Sequence, residues 1–453
     1  MTVSKPADPH PQPPYRTDRY HASPSQNAAS SGDTRSPARR DRDRILYSPA
    51  FRRLSDVTQV VAPTERYPIH NRLTHSLKVA QIGRSLAETL LAAPGAGERA
   101  AAAGGLDPDV VEAAALAHDL GHPPFGHVAE RELDDILTGQ HGLADGFEGN
   151  AQSFRVVTTL AVRHEDVPGL DLTRATLGAI LKYPWTRAAS GPAARKWGAY
   201  ASEEGQLAWA REGCPLPPGQ PTLEAAVMDW ADDVTYAVHD VEDFFQAGLI
   251  PLDRLVTDPA ERDRFLAAEV ARQAGRSFAS AADLVAAFHA LMADVPISAP
   301  YRGVRADRAA LRAFASTLID RFLAATSLRD DPAHPGGPLA IEPRARMEVL
   351  MLKGLTWYYV IASQALLSQR FGQRRLVRSV FEMLLAASAH PGDWPIFPPI
   401  DQDTLATLDP TDRPGRVRLV ADVIASMSEP QAIDIHARLT GRAPGLDPTV
   451  VIP

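Results

Sequence analysis

The segment HDLGHPPFGH, residues 118–127, brings three histidines and an aspartate into ten residues. The whole chain of 453 residues has only 14 histidines, so this density indicates a built site rather than chance. Imidazole and carboxylate are ligands that suit Mn, Fe, Ni or Zn, and an adjacent His-Asp pair can chelate one ion. The segment therefore predicts a metal site at His118 and Asp119, and the chain must fold so that further ligands reach it.

A helix leads into this segment. Residues 108–117 (PDVVEAAALA) have a helical pattern that begins at Asp107 as N-cap. Gly121 and the prolines after it end the helix, so His118 and Asp119 are expected on its last turn, where partial negative charge favours a cation. A His-Asp pair alone is more often a capped helix end on the surface, so the metal site depends on ligands from elsewhere.

Residues 70–76 (HNRLTHS) carry one such candidate. They open a helix whose apolar residues recur at helical spacing, and His75 lies among the core positions of that pattern. Asn71 is expected to cap this helix. A lone histidine there is more often a core residue with a satisfied ring than a ligand, and the spacing leaves both interpretations open.

Residues 223–246 combine an apolar stripe with an acidic stripe offset from it by about 140° around the helix. The acidic stripe consists of Asp229, Asp232, Tyr236, Asp240 and Asp243. Such a face is most often solvated, but a tyrosine in the middle of four carboxylates argues for a lined cleft. Asp232 fits the stripe better than its neighbour Asp233, so Asp232 is the expected ligand and Asp233 an outer or surface carboxylate.

The order of these motifs resembles the HD-domain metal-dependent phosphohydrolases, in which a histidine, a His-Asp pair and a distant aspartate bind the metal. Narrower motifs are similar to the deoxyguanosinetriphosphate triphosphohydrolase-like branch of that family. They are RDRI from residue 42, FRRL from 51, NRLTHS from 71, HDLGHPPFGH from 118, GFEGNAQ from 146 and ADD from 231. LKYP at 181–184 and KWGAYASE at 196–203 are similar to a family insertion. The resemblance is strong over about residues 35–250.

The resemblance implies an all-α fold, with an HD-domain helical core and additional C-terminal helices packed on it. It implies His75, His118, Asp119 and Asp232 as the ligands of a divalent metal ion, Mn or Mg first, with Fe, Ni, Co or Zn as alternatives. The reaction that it implies cleaves a deoxynucleoside triphosphate between the α-phosphorus and O5′. The products would be a deoxynucleoside and inorganic triphosphate.

His127 and Glu130 would carry the proton chemistry of that reaction. They lie three residues apart on a predicted helix and so share one face with Asp134. By resemblance, His127 protonates the leaving oxygen or positions water, and Glu130 orients His127. His122 would contact phosphate. An ordinary surface pair at His127 and Glu130 is the alternative.

Further substrate contacts are transferred by resemblance. Gln59 would contact the sugar or the base, and Arg72 would reach a phosphate through its fixed donors. Tyr236 and Asp240 would contact the sugar and its 3′-hydroxyl. Lys353 would touch the triphosphate, or else it is a solvated lysine.

Charge and composition limit the partners and the compartment. With 47 basic and 55 acidic residues the net charge is −8, so the chain as a whole does not indicate nucleic-acid binding. The arginine-rich residues 35–53 are the exception; solvated tail charge, subunit contacts, single-stranded nucleic acid and an activating nucleotide all stay open. A start without an apolar segment, one cysteine and no apolar run of about 18 residues predict a cytoplasmic protein away from membranes. The resemblance implies a homo-oligomer, in particular a hexamer.

The chain divides into three predicted parts: a disordered N-terminal tail over 1–34, the HD phosphohydrolase core over 35–250, and a C-terminal helical region over 251–453 that packs on the core. Residues 186–222, rich in Gly, Pro and Ala, are expected to form a long loop or lid. Residues 424–430 (IASMSEP) depart from the Gly-Met-Thr-Asp type sequence of the family, so no nucleotide or subunit contact is transferred to them.

Two other functions stay open. One is an HD phosphohydrolase that acts on another nucleotide phosphoester, against which the HPPFGH and FEGNAQ motifs argue. The other is a regulator that binds nucleotide or single-stranded nucleic acid, against which the complete ligand set argues.

Overall fold

The computed structural model describes residues 13–21, 33–60, 69–190, 195–275 and 278–442. Helices dominate these residues, and two short antiparallel pairs are the strands among them, so the predicted all-α fold is confirmed. The strands are β1 (Val162–His164), β2 (Val167–Pro168), β3 (Thr326–Leu328) and β4 (Leu339–Ile341). None of the described helices is long and apolar enough to cross a membrane.

The α-helices of the described residues are numbered here in chain order. They are α1 (Pro37–Leu46), α2 (Pro49–Arg53), α3 (Arg72–Leu91), α4 (Ala96–Ala102), α5 (Pro108–Ala117), α6 (His127–Asp135), α7 (Gly149–Arg155), α8 (Arg174–Ile180), α9 (Arg187–Ser190), α10 (Glu204–Arg211), α11 (Leu223–Gln246), α12 (Leu252–Thr257), α13 (Pro259–Gln273), α14 (Ala281–Ala293), α15 (Arg305–Ala324), α16 (Pro343–Leu355), α17 (Gln364–Ser388), α18 (Pro399–Thr407), α19 (Arg413–Ser426) and α20 (Glu429–Leu439). Short 3₁₀ helices span Pro14–Thr17, Leu54–Asp56, Ala201–Glu203 and Pro391–Ile396, and π-helical turns span Ile136–Gln140, Val156–Leu160 and Thr356–Ile361.

Local capping determines where the two ligand-bearing helices α3 and α5 begin. Asn71 accepts a hydrogen bond from Thr74 N and caps α3, and Asp107 accepts one from Asp109 N and caps α5, both as predicted. Helix α5 ends at Ala117, as the pattern over 108–117 predicts, but His118 is its C-cap and Asp119 lies beyond it rather than on the last turn. Tight turns follow Ala117. Their backbone hydrogen bonds span three residues instead of the four of an α-helix, as in the bond from His122 N to Asp119 O at 3.1 Å.

Helices α3, α5 and α11 pack against one another and form the centre of the main core. The helices approach closely at Gly83 of α3, where a Cβ would lie 3.0 Å from Val111 of α5 and 3.5 Å from Ala231 of α11. Because glycine and alanine leave room there, the three helices come near enough for their polar side chains to meet.

The C-terminal helices divide between two cores. Apolar residues of α12–α16 join the main core, whereas those of α17–α20 pack with α6, Phe125 and Phe147 in a second core. This agrees with the prediction that C-terminal helices pack on the helical core, and the boundary at residue 250 stays a prediction. The segment that carries His122 and His127 therefore lies between the two cores.

The N-terminal tail departs from its prediction at residues 13–21. Arg16 is buried, donates to Gly104 O at 2.7 Å and pairs with Glu224, and Arg19 pairs with Asp41 at 2.9 Å. The prediction of disorder over 1–34 is therefore wrong for this stretch, because buried carboxylates hold its two arginines. Residues 1–12 and 22–32 lie outside the described part of the chain.

The arginine-rich segment 35–53 is folded into α1 and α2 and is largely paired within the chain. Arg35 binds Asp43 at 2.7 Å, Arg39 binds Asp109 at 3.0 Å, and Arg44 binds Asp171 at 3.1 Å. These pairs replace the solvated tail charge that was one of the alternatives.

The segment 186–222 is more ordered than the expected long loop. It contains α9 and α10, and two aromatic side chains, Trp197 and Tyr200, are buried within it. Burial of two large aromatic side chains fixes this segment against α7. Residues 191–194 lie outside the described part.

We expect Gly121→Ala to destabilise the protein by about 1–3 kcal/mol or more. Gly121 lies against the start of α7, where a Cβ would come within 2.1 Å of Ser153 N and 2.5 Å of Gly149 O, both backbone atoms. The urea midpoint of unfolding measures this change. Gly139→Ala is the matched control, because no atom lies within 4 Å of a Cβ there. Equal midpoints for the two variants would contradict the close approach.

Candidate active site

Four polar side chains from α3, the end of α5 and α11 converge where these helices meet. Nε2 of His75 lies 3.0 Å from Oδ1 of Asp232, and Nε2 of His118 lies 3.6 Å from Asp119 and 3.8 Å from Asp232. Ligand atoms of His75, His118 and Asp119 all lie within 4.8 Å of one another. The structure thus brings together the four side chains that were predicted as metal ligands.

The ring of His118 is oriented as a metal ligand requires. Nδ1 of His118 lies 2.6 Å from Ala115 O, so this nitrogen donates to the carbonyl and Nε2 keeps its lone pair facing the carboxylates. Two imidazole nitrogens with two carboxylate oxygens form a donor set that suits a divalent transition metal or Mg. The residues present therefore fit a divalent ion.

Both carboxylates of this group remain ionised, although Asp119 is buried and Asp232 is half-buried. Burial alone would raise the pKa of Asp119, but Arg72, at 2.7 Å, and the neighbouring histidines lower it well below its usual range. Burial likewise opposes ionisation of Asp232, and Lys182 and His75 lower its pKa. Ionised carboxylates are the form that binds a cation.

A second group of ring and carboxylate atoms lies beside the first, formed by His122, His127 and Glu130. Nδ1 of His127 lies 2.5 Å from Glu130, and Nδ1 of His122 lies 2.9 Å from Asp119. Burial and the charge of Arg72 lower the pKa of His122 to about 4, so its ring is neutral at neutral pH. The His127 side chain is 61% exposed, whereas Glu130 is buried. Glu130 therefore holds the His127 ring from the protein side, and the ring is open to solvent.

Glu130 is held by more than His127. Lys196 Nζ lies 2.9 Å from Glu130 and 2.8 Å from Glu148, and Gly149 N donates to Glu130 at 3.2 Å. Burial would raise the pKa of Glu130, but His127 and Lys196 lower it well below its usual range. The ionised carboxylate therefore accepts a hydrogen bond from Nδ1–H of His127, and Nε2 remains available to a bound molecule.

A cavity of about 430 Å³ opens beside both groups. Nine of the twelve predicted site residues line it: Gln59, Arg72, His118, Asp119, His122, His127, Asp232, Tyr236 and Lys353. His75 and Glu130 stand behind this wall, each bonded to a residue that lines it. A cavity of this size with convergent polar groups is typical of a small-molecule site.

The predicted substrate contacts differ in how they meet the cavity. Gln59 lines it, and its Oε1 has no hydrogen-bond partner among the described residues. Lys353 lies 2.7 Å from Asp233 and over the ring of Tyr236, so it is a paired, half-exposed cation at the cavity wall. Asp240 stands apart, 5% exposed and one helical turn beyond the wall at Tyr236. Burial and Asp243 raise the pKa of Asp240 well above its usual range.

Four cations that line the cavity had no predicted role. They are Lys182, Lys196, Arg272 and Arg370. Lys182 Nζ pairs with Asp229 and lies 3.4 Å from Asp232. The LKYP and KWGAYASE motifs contain the two lysines and were the available signal, but they indicated no function for either side chain.

Comparison with known proteins agrees with this geometry. The HD domain family matches residues 72–237, and the phosphohydrolase-associated domain family matches residues 339–438. A deoxyguanosinetriphosphate triphosphohydrolase-like protein of Streptomyces coelicolor is 40% identical, over 96% of this chain and 99% of its own length. Like-named proteins of Corynebacterium efficiens and Corynebacterium glutamicum are 37% and 36% identical, over 89% and 92% of this chain and 91% and 94% of their own lengths.

We expect His118→Ala to weaken divalent metal binding by about tenfold to a hundredfold or more, because it removes a ring nitrogen from the ligand group. Metal content after dialysis, measured by mass spectrometry of the purified protein, reports the change. His289→Ala, on the exposed face of α14, removes a histidine elsewhere and should keep the wild-type content. Equal metal content in both variants would rule out this group as the site.

Proposed function

The chain belongs to the family of HD-domain, deoxyguanosinetriphosphate triphosphohydrolase-like proteins, and we propose that it hydrolyses deoxynucleoside triphosphates. The products are a deoxynucleoside and inorganic triphosphate. The observation that carries this proposal is the placement of the His127–Glu130 pair beside the metal ligands at one cavity. The names of the relatives support the substrate class.

His75, His118, Asp119 and Asp232 are the residues that we propose to hold the metal, Mn or Mg first. Such an ion supplies Lewis-acid polarisation of a phosphoryl group and lowers the pKa of bound water. Arg72 holds Asp119 in place through its 2.7 Å contact. Lys182 does the same for Asp232.

The cations at the cavity wall are suited to a triphosphate, which carries several negative charges. Lys182, Lys196 and Lys353 come from three separate segments that line the cavity, and each lies near a carboxylate that holds it. We assign them to the phosphate chain, together with His122 and Arg72. Fixed cations bind phosphate oxygens without reorganising when the substrate enters.

His127 is the proton donor in this proposal. Water forms a bond to the α-phosphorus while the bond from that phosphorus to O5′ breaks. The proton of His127 Nε2 passes to O5′, so the deoxynucleoside leaves with a free hydroxyl and the water oxygen stays on triphosphate. A proton lost by that water, directly or through solvent, restores the charged ring of His127. Glu130 stabilises the charged ring through the Nδ1 contact and holds its orientation.

The sugar and base lie, in this proposal, against Gln59 and Tyr236. The unpartnered Oε1 of Gln59 is available to a hydroxyl or an amino group of the substrate. Asp240 lies one turn behind Tyr236, so it reaches a 3′-hydroxyl only if the wall opens there. From the resemblance we extend the proposal to a cytoplasmic homo-oligomer, a hexamer, with an activating nucleotide or single-stranded nucleic acid as its regulator.

A product assay tests the reaction. Purified protein with Mn or Mg and each dNTP should yield deoxynucleoside and triphosphate on ion-exchange chromatography. In water enriched in oxygen-18 the label should appear in triphosphate, because the attack is at phosphorus. Release of pyrophosphate or monophosphate would instead favour the other HD phosphohydrolases. No turnover with any dNTP, alone or mixed, would favour the binding regulator.

His127→Asn should lower kcat by about 10²–10⁴-fold, because it removes the proton donor. Glu130→Gln should lower kcat as well, since the ring of His127 loses its charged anchor. Both variants should keep the wild-type metal content, which separates their effect from that of His118→Ala. Asp135→Asn, an exposed acid at the end of the same helix, is the control and should retain full activity.

A further inference from the structure

The C-terminal helix α20 begins beside the active site, at a segment that departs from the family sequence. Ser428 is its N-cap and forms a reciprocal capping box with Gln431. Pro430 occupies the first turn of α20, where a proline is compatible with the helix. The departure at Pro430 therefore leaves the start of the helix intact and points the side chain of Glu429 at the loops around the cavity.

The Glu429 carboxylate binds two of those loops at once. Oε1 accepts hydrogen bonds from Thr58 N at 2.8 Å and from Phe125 N at 3.1 Å, and Oε2 accepts one from Thr58 Oγ1 at 2.9 Å. Thr58 precedes Gln59, and Phe125 stands two residues before His127. One side chain thus joins the backbone at Thr58, in the loop that carries Gln59 (the Gln59 loop), to the backbone at Phe125, in the loop 120–126 that leads to His127 (the His127 loop).

A second contact from the same segment joins the other side of the His127 loop. The Arg53 guanidinium donates to Met427 O at 3.0 Å, to Leu120 O at 2.7 Å and to His122 O at 2.9 Å. Residues 427–429 therefore meet the loop 120–126 through two independent sets of hydrogen bonds. The start of α20 is consequently part of the frame that carries His122 and His127.

The backbone that Glu429 holds is one that needs support. Phe125 has φ +67° and Gly126 has φ +55°, both in the left-handed region, which a phenylalanine rarely adopts. Gly126 is also packed closely, since a Cβ there would lie 3.0 Å from Nη2 of Arg72. These two residues set the direction in which α6 starts, and His127 is its first residue.

We infer that Glu429 is a positioning residue for the reaction: its carboxylate fixes the Phe125–Gly126 turn and thereby places the ring of His127 over the cavity, in register with Gln59. The inference rests on the proposed function for its effect on rate, but the clamp itself is independent of that function. It gives the phosphohydrolase-associated region, matched over residues 339–438, a part in the catalytic geometry.

Turnover tests the effect on rate. Glu429→Ala should lower kcat by about tenfold to a hundredfold, because displacement of a catalytic group by about 1 Å costs that much, and metal content should stay unchanged. Glu429→Gln should restore most of kcat, since one amide oxygen still accepts from both backbone N–H groups. Asp434→Ala, which removes an exposed acid from the same helix, is the matched control. Equal kcat in Glu429→Ala and the control, or equal loss in the Gln and Ala variants, would overturn the proposal.

Hydrogen exchange of the full-length protein tests the clamp without substrate. Peptides that contain Thr58 and Phe125 should exchange faster in Glu429→Ala than in wild type. In Asp434→Ala their exchange rates should equal those of wild type. If Glu429→Ala does not fold, Glu429→Asp, which is shorter by one methylene, should show the same faster exchange. Unchanged exchange would overturn the clamp. A wild-type protein without turnover but with the expected exchange pattern would refute the proposed function and leave the clamp supported.

Discussion

The rest of the structure depends on one constraint: two ionised carboxylates, one buried and one half-buried, lie where three helices meet. Asp119 is buried and the side chain of Asp232 is 21% exposed, so each needs compensating charge in place of the water that it has lost. Arg72 and Lys182 provide part of it, and two imidazole rings face the same point. A divalent cation would compensate the remaining negative charge. The two carboxylates that need this compensation are the same groups that would bind the metal.

The same principle extends outward to the groups around the metal ligands. Glu130 is buried and ionised because His127 and Lys196 bind it, and Lys196 in turn is held by Glu148. Each charged group at the cavity thus has a partner that fixes its position before a substrate enters. Preorganised charge of this kind is the usual source of large electrostatic contributions to catalysis. Segment 195–203 carries Lys196 to this site, and the buried side chains of Trp197 and Tyr200 hold the segment in place.

The sequence predicted those features that local pattern controls. Helix α11 has the predicted bounds, 223–246, and the caps Asn71 and Asp107 are where spacing placed them. The convergence of His75 and Asp232, 157 residues apart, followed from the family resemblance and not from any local pattern. The roles of Lys182 and Lys196 depend on how an irregular segment folds, which periodicity does not encode. Glu429 lies 304 residues from Phe125, and no motif connected them.

The second hydrophobic core determines which part of the chain can fold on its own. Phe125 and helix α6, which belong by sequence to the HD segment, are buried against helices α17–α20 from the other end of the chain. A gene fragment that encoded residues 72–237 alone would expose this apolar face and lose the frame around His127. Residues 72–237 alone are therefore not a complete folding unit, because the apolar face at Phe125 and α6 is covered by helices α17–α20.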